Sequence, residues 1–97
     1  MSAYITLFNW TDQGIRNAKD TVNRARAFRQ AVEAGGGTLI GIWWTLGQHD
    51  GVLIFEASDD ETATRLLVAT GMLGNVRTAT MRAFSEEEME RIIQGLP

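Results

Sequence analysis

The sequence predicts one α+β domain of β-α-β-β-α-β order, with four strands in a single antiparallel sheet and a short C-terminal helix. Three observations predict it. Four β-rich runs alternate with two stretches whose apolar residues recur every three or four positions. A glycine-containing turn joins the second run to the third, which places a hairpin between the two helices. The 97 residues suffice for one core spanning 1–97 and not for two.

Tyr4 to Trp10 is rich in aromatic and β-branched residues and forms the first strand. Thr11 or Asp12 then supplies the N-cap of a long helix, along which Ile15, Ala18, Val22, Ala25, Phe28 and Val32 share one stripe. Gly35-Gly36-Gly37 ends that helix. Thr38 to Leu46 and Gly51 to Ala57 are the hairpin strands, with Asp50-Gly51 as turn chemistry. Ser58 and Glu61 have capping-box spacing before a second helix carrying Ala63, Leu66, Leu67 and Thr70 and stopping at Gly71. Val76 to Phe84 is the last strand. Ser85 and Glu88 form a second capping box before Met89, Ile92, Ile93 and Leu96. The order as a whole is ferredoxin-like.

Successive side chains of a strand point to opposite sides of its sheet, and here neither side is polar. Tyr4, Thr6, Phe8 and Trp10 oppose Ile5 and Leu7; Ile40, Ile42 and Trp44 oppose Leu39 and Trp43; Val52 and Ile54 oppose Leu53 and Phe55. Two crossover helices cover one face of a four-stranded sheet, and the usual second face is wet. An apolar second face exceeds what a monomer normally exposes. The expected partner is therefore a second copy, the two sheets facing each other as a dimeric α+β barrel, a homo-oligomer of two or more chains. At about 25 cal/mol per Å2, burial of roughly 700 Å2 of apolar surface offsets much of the association cost.

Composition narrows the function classes. The chain has 44% apolar and 22% charged residues, which excludes a disordered or low-complexity segment. A net charge of -3 argues against a phosphate-backbone binder, so no nucleic acid is expected. The absence of cysteine removes disulfides, thiolate metal sites and Cys nucleophiles. Neither a signal-peptide pattern nor a spanning apolar run opens the chain, so a cytoplasmic protein without membrane contact is expected. One histidine among scattered carboxylates lacks any metal-ligand spacing, and no cofactor motif is present. The triple glycine follows a helix instead of preceding one, so it is no phosphate loop.

Trp44-Thr45-Leu46-Gly47-Gln48-His49-Asp50-Gly51-Val52, Glu56-Ala57-Ser58-Asp59-Asp60-Glu61, Gly74-Asn75-Val76-Arg77-Thr78 and Arg82-Ala83-Phe84 together resemble the GYD-domain family over nearly the whole chain. The family's pattern has Gly, any residue, Tyr and Asp, and His49 stands where the tyrosine falls. The resemblance implies the dimeric α+β barrel superfamily, whose members include small monooxygenases, dehydratases, isomerases, haem-dependent enzymes and ligand-binding modules. It implies no particular chemistry.

Several residues are candidates for a site. His49 beside Asp50 suits a general acid or base oriented by a carboxylate, although a tight turn explains the pair more simply. Trp43 and Trp44 are consecutive and face opposite ways, so one of them is the expected aromatic wall of a pocket. Arg29 falls among Val22, Ala25 and Val32 on the helix stripe, where it snorkels, pairs with Glu56 or Asp50, or awaits an anion. Asn75 and Arg77, with Thr78, open the last strand and suit an anionic ligand or ordinary turn bonding. The first expectation is a self-associating domain that binds a small apolar or anionic molecule between sheet and helices. The rivals are a cofactor-free monooxygenase or isomerase using His49 and Asp50, and a structural assembly component.

Overall fold

The computed structural model describes Met1–Pro97 in the order β1 (Ser2–Trp10), α1 (Asp12–Arg16), a 3-10 turn (Ala18–Asp20), α2 (Thr21–Ala34), β2 (Thr38–Trp44), β3 (Gly51–Ala57), α3 (Asp60–Met72), β4 (Val76–Ala83) and α4 (Glu86–Gln94). All strand pairs are antiparallel and the sheet order is β2-β3-β1-β4. This is the predicted α+β, ferredoxin-like arrangement with its C-terminal helix. No helix is long and apolar enough to cross a membrane.

Alternation sorts β1 and β3 as the sequence implies. Tyr4, Thr6 and Phe8 stand opposite Phe55, Leu53 and Gly51 under the helices, and every one of these six is buried. Ile5, Leu7, Val52 and Ile54 point to the other side and are only half-buried. Phe55 is fully enclosed: Tyr4 stacks on it at 5.3 Å between ring centroids and Phe28 of α2 meets it edge-on at 5.7 Å. Such aromatic pairs add to the area they bury, and they fix where α2 sits.

β2 departs from simple alternation. Leu39 pairs with Phe55 and Gly41 with Ile54, so Ile40 is an extra, bulged residue. The bulge returns Leu39, Ile42 and Trp44 to one face, whereas strict alternation groups Ile40 with Ile42 and Trp44. The strand also ends at Trp44, because Thr45 turns back to bond Asp50.

The single long first helix of the sequence reading is broken. Thr11 caps α1 by accepting from the Gly14 amide at 3.0 Å, and Asn17 then closes the helix on the Gln13 carbonyl. The break lets α1 bond the chain before β4: the Thr11 amide donates to the Asn75 carbonyl at 3.1 Å, and the Gln13 amide group to the Leu73 carbonyl at 3.0 Å. α2 then starts afresh across the sheet. Its inward row is Thr21, Ala25, Phe28 and Val32, one step round from the row containing Arg29, and Arg29 is consequently exposed instead of lying on the inner stripe.

α3 is capped by Asp59, not Ser58: the Asp59 carboxylate accepts from the Thr62 amide at 2.8 Å. That bond holds the Asp59 carboxyl below the ordinary aspartate range. One residue on, Asp60 accepts from the buried Tyr4 hydroxyl at 2.5 Å, which ties the start of α3 to β1. Burial first, and that bond second, push the Tyr4 phenol up from its usual value. The Ser85–Glu88 capping box of α4 is present in both directions.

Candidate functional site

α2 packs chiefly over β2 and β3, whereas α3 packs over β4 and β3, so the two helices part above the middle of the sheet. Between them lies a cleft of ≈ 510 Å3. Its floor is Thr6, Phe8, Leu53, Ile42, Val76 and Thr78; its walls are Ala25, Ala27, Phe28 and Ala31 on one side and Leu66, Leu67, Ala69 and Leu73 on the other. The cleft exists because the α2 wall is largely alanine and faces α3 with little side chain. Side chains that small cannot bridge two helices resting on different pairs of strands.

Polar groups gather at the ends. Trp44 closes one end, its indole nitrogen donating to the Thr21 hydroxyl at 3.1 Å across the gap between β2 and α2. Arg24 stands at the mouth and is braced by the carbonyls of Asn17 at 2.8 Å and Gly14 at 3.2 Å. No carboxylate pairs with it, since the two ion pairs of the chain are Arg65–Glu61 and Arg82–Glu88. Its charge is therefore held in place without an ion-pair partner, the Asp20 carboxylate of the same rim accepting from Asn23 instead. Asp20, Thr70 and Asn75 complete the rim. On the floor, the fully buried Thr6 shares a hydroxyl–hydroxyl bond with Thr80 at 2.8 Å.

Of the residues singled out from sequence, Trp44, Asn75 and Thr78 line this cleft. Trp43 lies on the opposite face of the sheet, 51% exposed, with its ring over Gly41. Arg77, opposite Asn9 in the sheet, is on that same open face, away from the cleft that Asn75 lines. Arg29 points outward from α2 and forms no ion pair, neither with Glu56 nor with Asp50. His49 and Asp50 sit in the β2–β3 turn away from the cleft, each with its own partner. The His49 ring nitrogen Nδ1 contacts the Asn9 side-chain oxygen at 2.9 Å, while the Asp50 carboxylate accepts from the Trp10 amide at 2.9 Å. Asp50 also donates its own amide to the Phe8 carbonyl. The pair thus clasps the turn onto the end of β1. No cluster of three or more His, Asp or Glu side chains is placed to hold a metal ion.

Sequence reasoning missed Arg24, Thr21 and the alanine wall of α2. The available signal was the small size of Ala25, Ala27, Ala31 and Ala69 on helices expected to fill a core. It was masked by treating every inward apolar position as filled.

The fold and cleft define a class: a small α+β domain with one sheet face roofed by helices, a gap in that roof, and a second apolar face left open. Within that class the chain belongs to the GYD-domain family, whose model matches residues 4–93. Three solved structures have a similar fold. The crystal structure of AldR from Mycobacterium tuberculosis superposes with a TM-score of 0.59 at 15% identity, covering 88% of this chain and 52% of that one. This chain thus spans about half the length of AldR. TTHA0845 from Thermus thermophilus gives 0.51 at 23% identity, with 88% and 95% covered. The C-terminal domain of the MgtC protein from Mycobacterium tuberculosis gives 0.57 at 14% identity, with 86% and 88% covered. At these identities the likeness speaks for the fold alone. No match is found among curated proteins.

Proposed function

We propose that this GYD domain is a self-associating binding module that takes a small, mostly apolar molecule with one polar or anionic end into the cleft between α2 and α3. The carrying observation is the ≈ 510 Å3 gap itself, with 13 of its 20 lining residues hydrophobic. A cavity of that size and lining is what small-molecule sites usually offer. The fixed, unpaired Arg24 guanidinium and the Asn75 amide give such a ligand an end to anchor. Self-association is supported by the open sheet face, where Trp43 and Met81 are each 51% exposed beside Ile5, Leu7, Val52 and Ile54.

The enzyme reading with His49 and Asp50 has less support, because neither residue lines the cleft and both are engaged in holding a turn. Binding is tested by following Trp44 fluorescence and thermal midpoint against octanoate, decanoate and the matching alcohols. The expected result is saturable binding with the carboxylates favoured. Ala69→Trp, which fills the gap from an exposed wall position, removes it without unfolding the chain, and Arg24→Gln removes the preference for carboxylate. Equal binding to wild type and to Ala69→Trp overturns the assignment of the cleft.

A further inference from the structure

α4 has the pattern of a helix made to be covered, and nothing in its own chain covers it. Met89, Ile92, Ile93 and Leu96 fall at the spacing of one apolar stripe, yet all four are exposed. The helix forms no packed interface with any other element, and the molecule measures 52 Å along its longest axis against 31 and 18 Å along the others. Its base is nevertheless fixed. The Ser85–Glu88 capping box starts it, Arg82 pairs with Glu88 at 3.3 Å, and the Arg82 guanidinium lies 4.4 Å from the Phe84 ring centroid. A helix held at its root and bare along its stripe is a rigid arm.

The arm's chemistry restricts what it meets. Its polar side carries Glu86, Glu87 and Glu90 against the single Arg91, none of them in an ion pair, so the arm is net acidic and an anionic lipid surface or a nucleic acid would be disfavoured. The complementary surface is in this same sequence. α2 carries Arg24, Arg26 and Arg29 against the single Glu33, again none in an ion pair, so it is net basic, and Arg26 and Arg29 are exposed. β2, on which α2 packs, is an edge strand that exposes Ile40 and, on the face turned away from α2, Trp43. An edge strand with exposed apolar residues beneath a basic helix matches an apolar stripe on an acidic one.

We infer that α4 docks on a second copy of this chain, its Ile92 and Ile93 against the second copy's Ile40 and Trp43 and its glutamates toward the second copy's Arg26 and Arg29. A two-fold axis makes the exchange reciprocal, so each copy gives one arm and receives one. The inference rests on the self-association proposed above and adds to it that the open sheet faces alone do not complete the interface. It also accounts for Arg29, the charge that the sequence analysis singled out and the cleft does not use.

The cysteine-free sequence makes the test clean. Full-length Glu90→Cys and Arg29→Cys chains are mixed and treated with a short bis-maleimide, and two-chain product is expected from the mixture well above that from either variant alone. In parallel, light scattering follows dissociation of the Ile92→Ser/Ile93→Ser variant, expected about a hundredfold weaker than wild type. Circular dichroism checks the fold, which these exposed positions leave intact. A wild type that is monomeric at high concentration overturns self-association and this inference together. A wild-type dimer that neither cross-links at these positions nor weakens in the double variant overturns the arm alone, as does binding of α4 to phosphatidylcholine vesicles that the double variant abolishes.

Discussion

The two faces of the sheet are built from the same strands, residue by residue in alternation, and have opposite fates. Under α2 and α3, Tyr4, Phe8, Leu53 and Phe55 are buried; on the reverse, Ile5, Leu7, Val52 and Ile54 are only half-covered and Trp43 and Met81 stand half in water. Their chemistry is nearly the same. What differs is the roof, and even the roof is incomplete, since the alanine wall of α2 leaves a cleft between it and α3 above Thr6 and Phe8. Hydrophobic side chains therefore do three different jobs here: closing a core, lining a gap and presenting an outer face. The alternation pattern alone does not tell them apart.

The largest expected effect breaks the comparison directly. Phe55→Ala removes a fully enclosed ring held between Tyr4 and Phe28, and is expected to cost about 3–5 kcal/mol of folding stability. Trp43→Ala on the reverse face removes a larger side chain yet is expected to cost the dilute chain less than about 1 kcal/mol. Urea unfolding at two protein concentrations separates the cases: the loss in Phe55→Ala is the same at both, whereas Trp43→Ala is hurt only at the higher one, where association contributes. Equal losses at low concentration would show the two faces to be equivalent parts of one core.

A smaller effect compares one substitution at two sites. Gly51 lies under the Phe8 ring on the roofed side, and a methyl group there meets the carbons of a buried ring that can move only by entering the cleft. Gly41 lies under the Trp43 ring on the open side, where the indole is free to swing into solvent. Gly51→Ala is therefore expected to cost about 1–3 kcal/mol, and Gly41→Ala within about 0.5 kcal/mol of nothing. Thermal midpoints of the two variants decide it. A large loss at Gly41 would mean that Trp43 is clamped, which is what a partner on that face would do, so concentration dependence is read in the same scan.

Much of this was legible beforehand, and the failures share a cause. The succession of strands and helices, the hairpin, the two-faced β1 and β3, and the Ser85 capping box all follow from patterns within short stretches of the chain. The break at Asn17 does not, because it depends on α1 bonding Leu73 and Asn75, about sixty positions away. The bulge at Ile40 is equally silent, since β2 gives no sign of which residue is extra until β3 fixes its register. The cleft needed the distance between two helices. Trp44 and Asn75 were found because a residue type and a strand end pointed to them, whereas Arg24 was passed over as one charge among several on a solvated helix.

The smallest expected effect concerns the two caps, one on the roofing helix α3 and one on the arm α4. Asp59 is held below its ordinary value of 3.8 chiefly by the Thr62 amide, and Glu88 below 4.5 chiefly by the Ser85 amide and then by Arg82. A carboxyl with a lowered folded-state pKa binds its proton more readily when unfolded, so its contribution is complete above the ordinary value and is lost as pH falls through the folded one. Stability should thus hold from neutrality to about pH 5 and decline below about pH 4. Asp59→Asn is expected to flatten part of that decline in urea unfolding of the dilute chain, because α3 belongs to the folded core. Glu88→Gln is expected to flatten a smaller part of it in the dilute chain, because α4 has little packing on the core and joins it chiefly through the Arg82–Glu88 pair. Its larger effect should appear in the pH dependence of the proposed dimer's dissociation, and a Glu88→Gln change as large as that of Asp59→Asn in the dilute monomer would place α4 within the core after all.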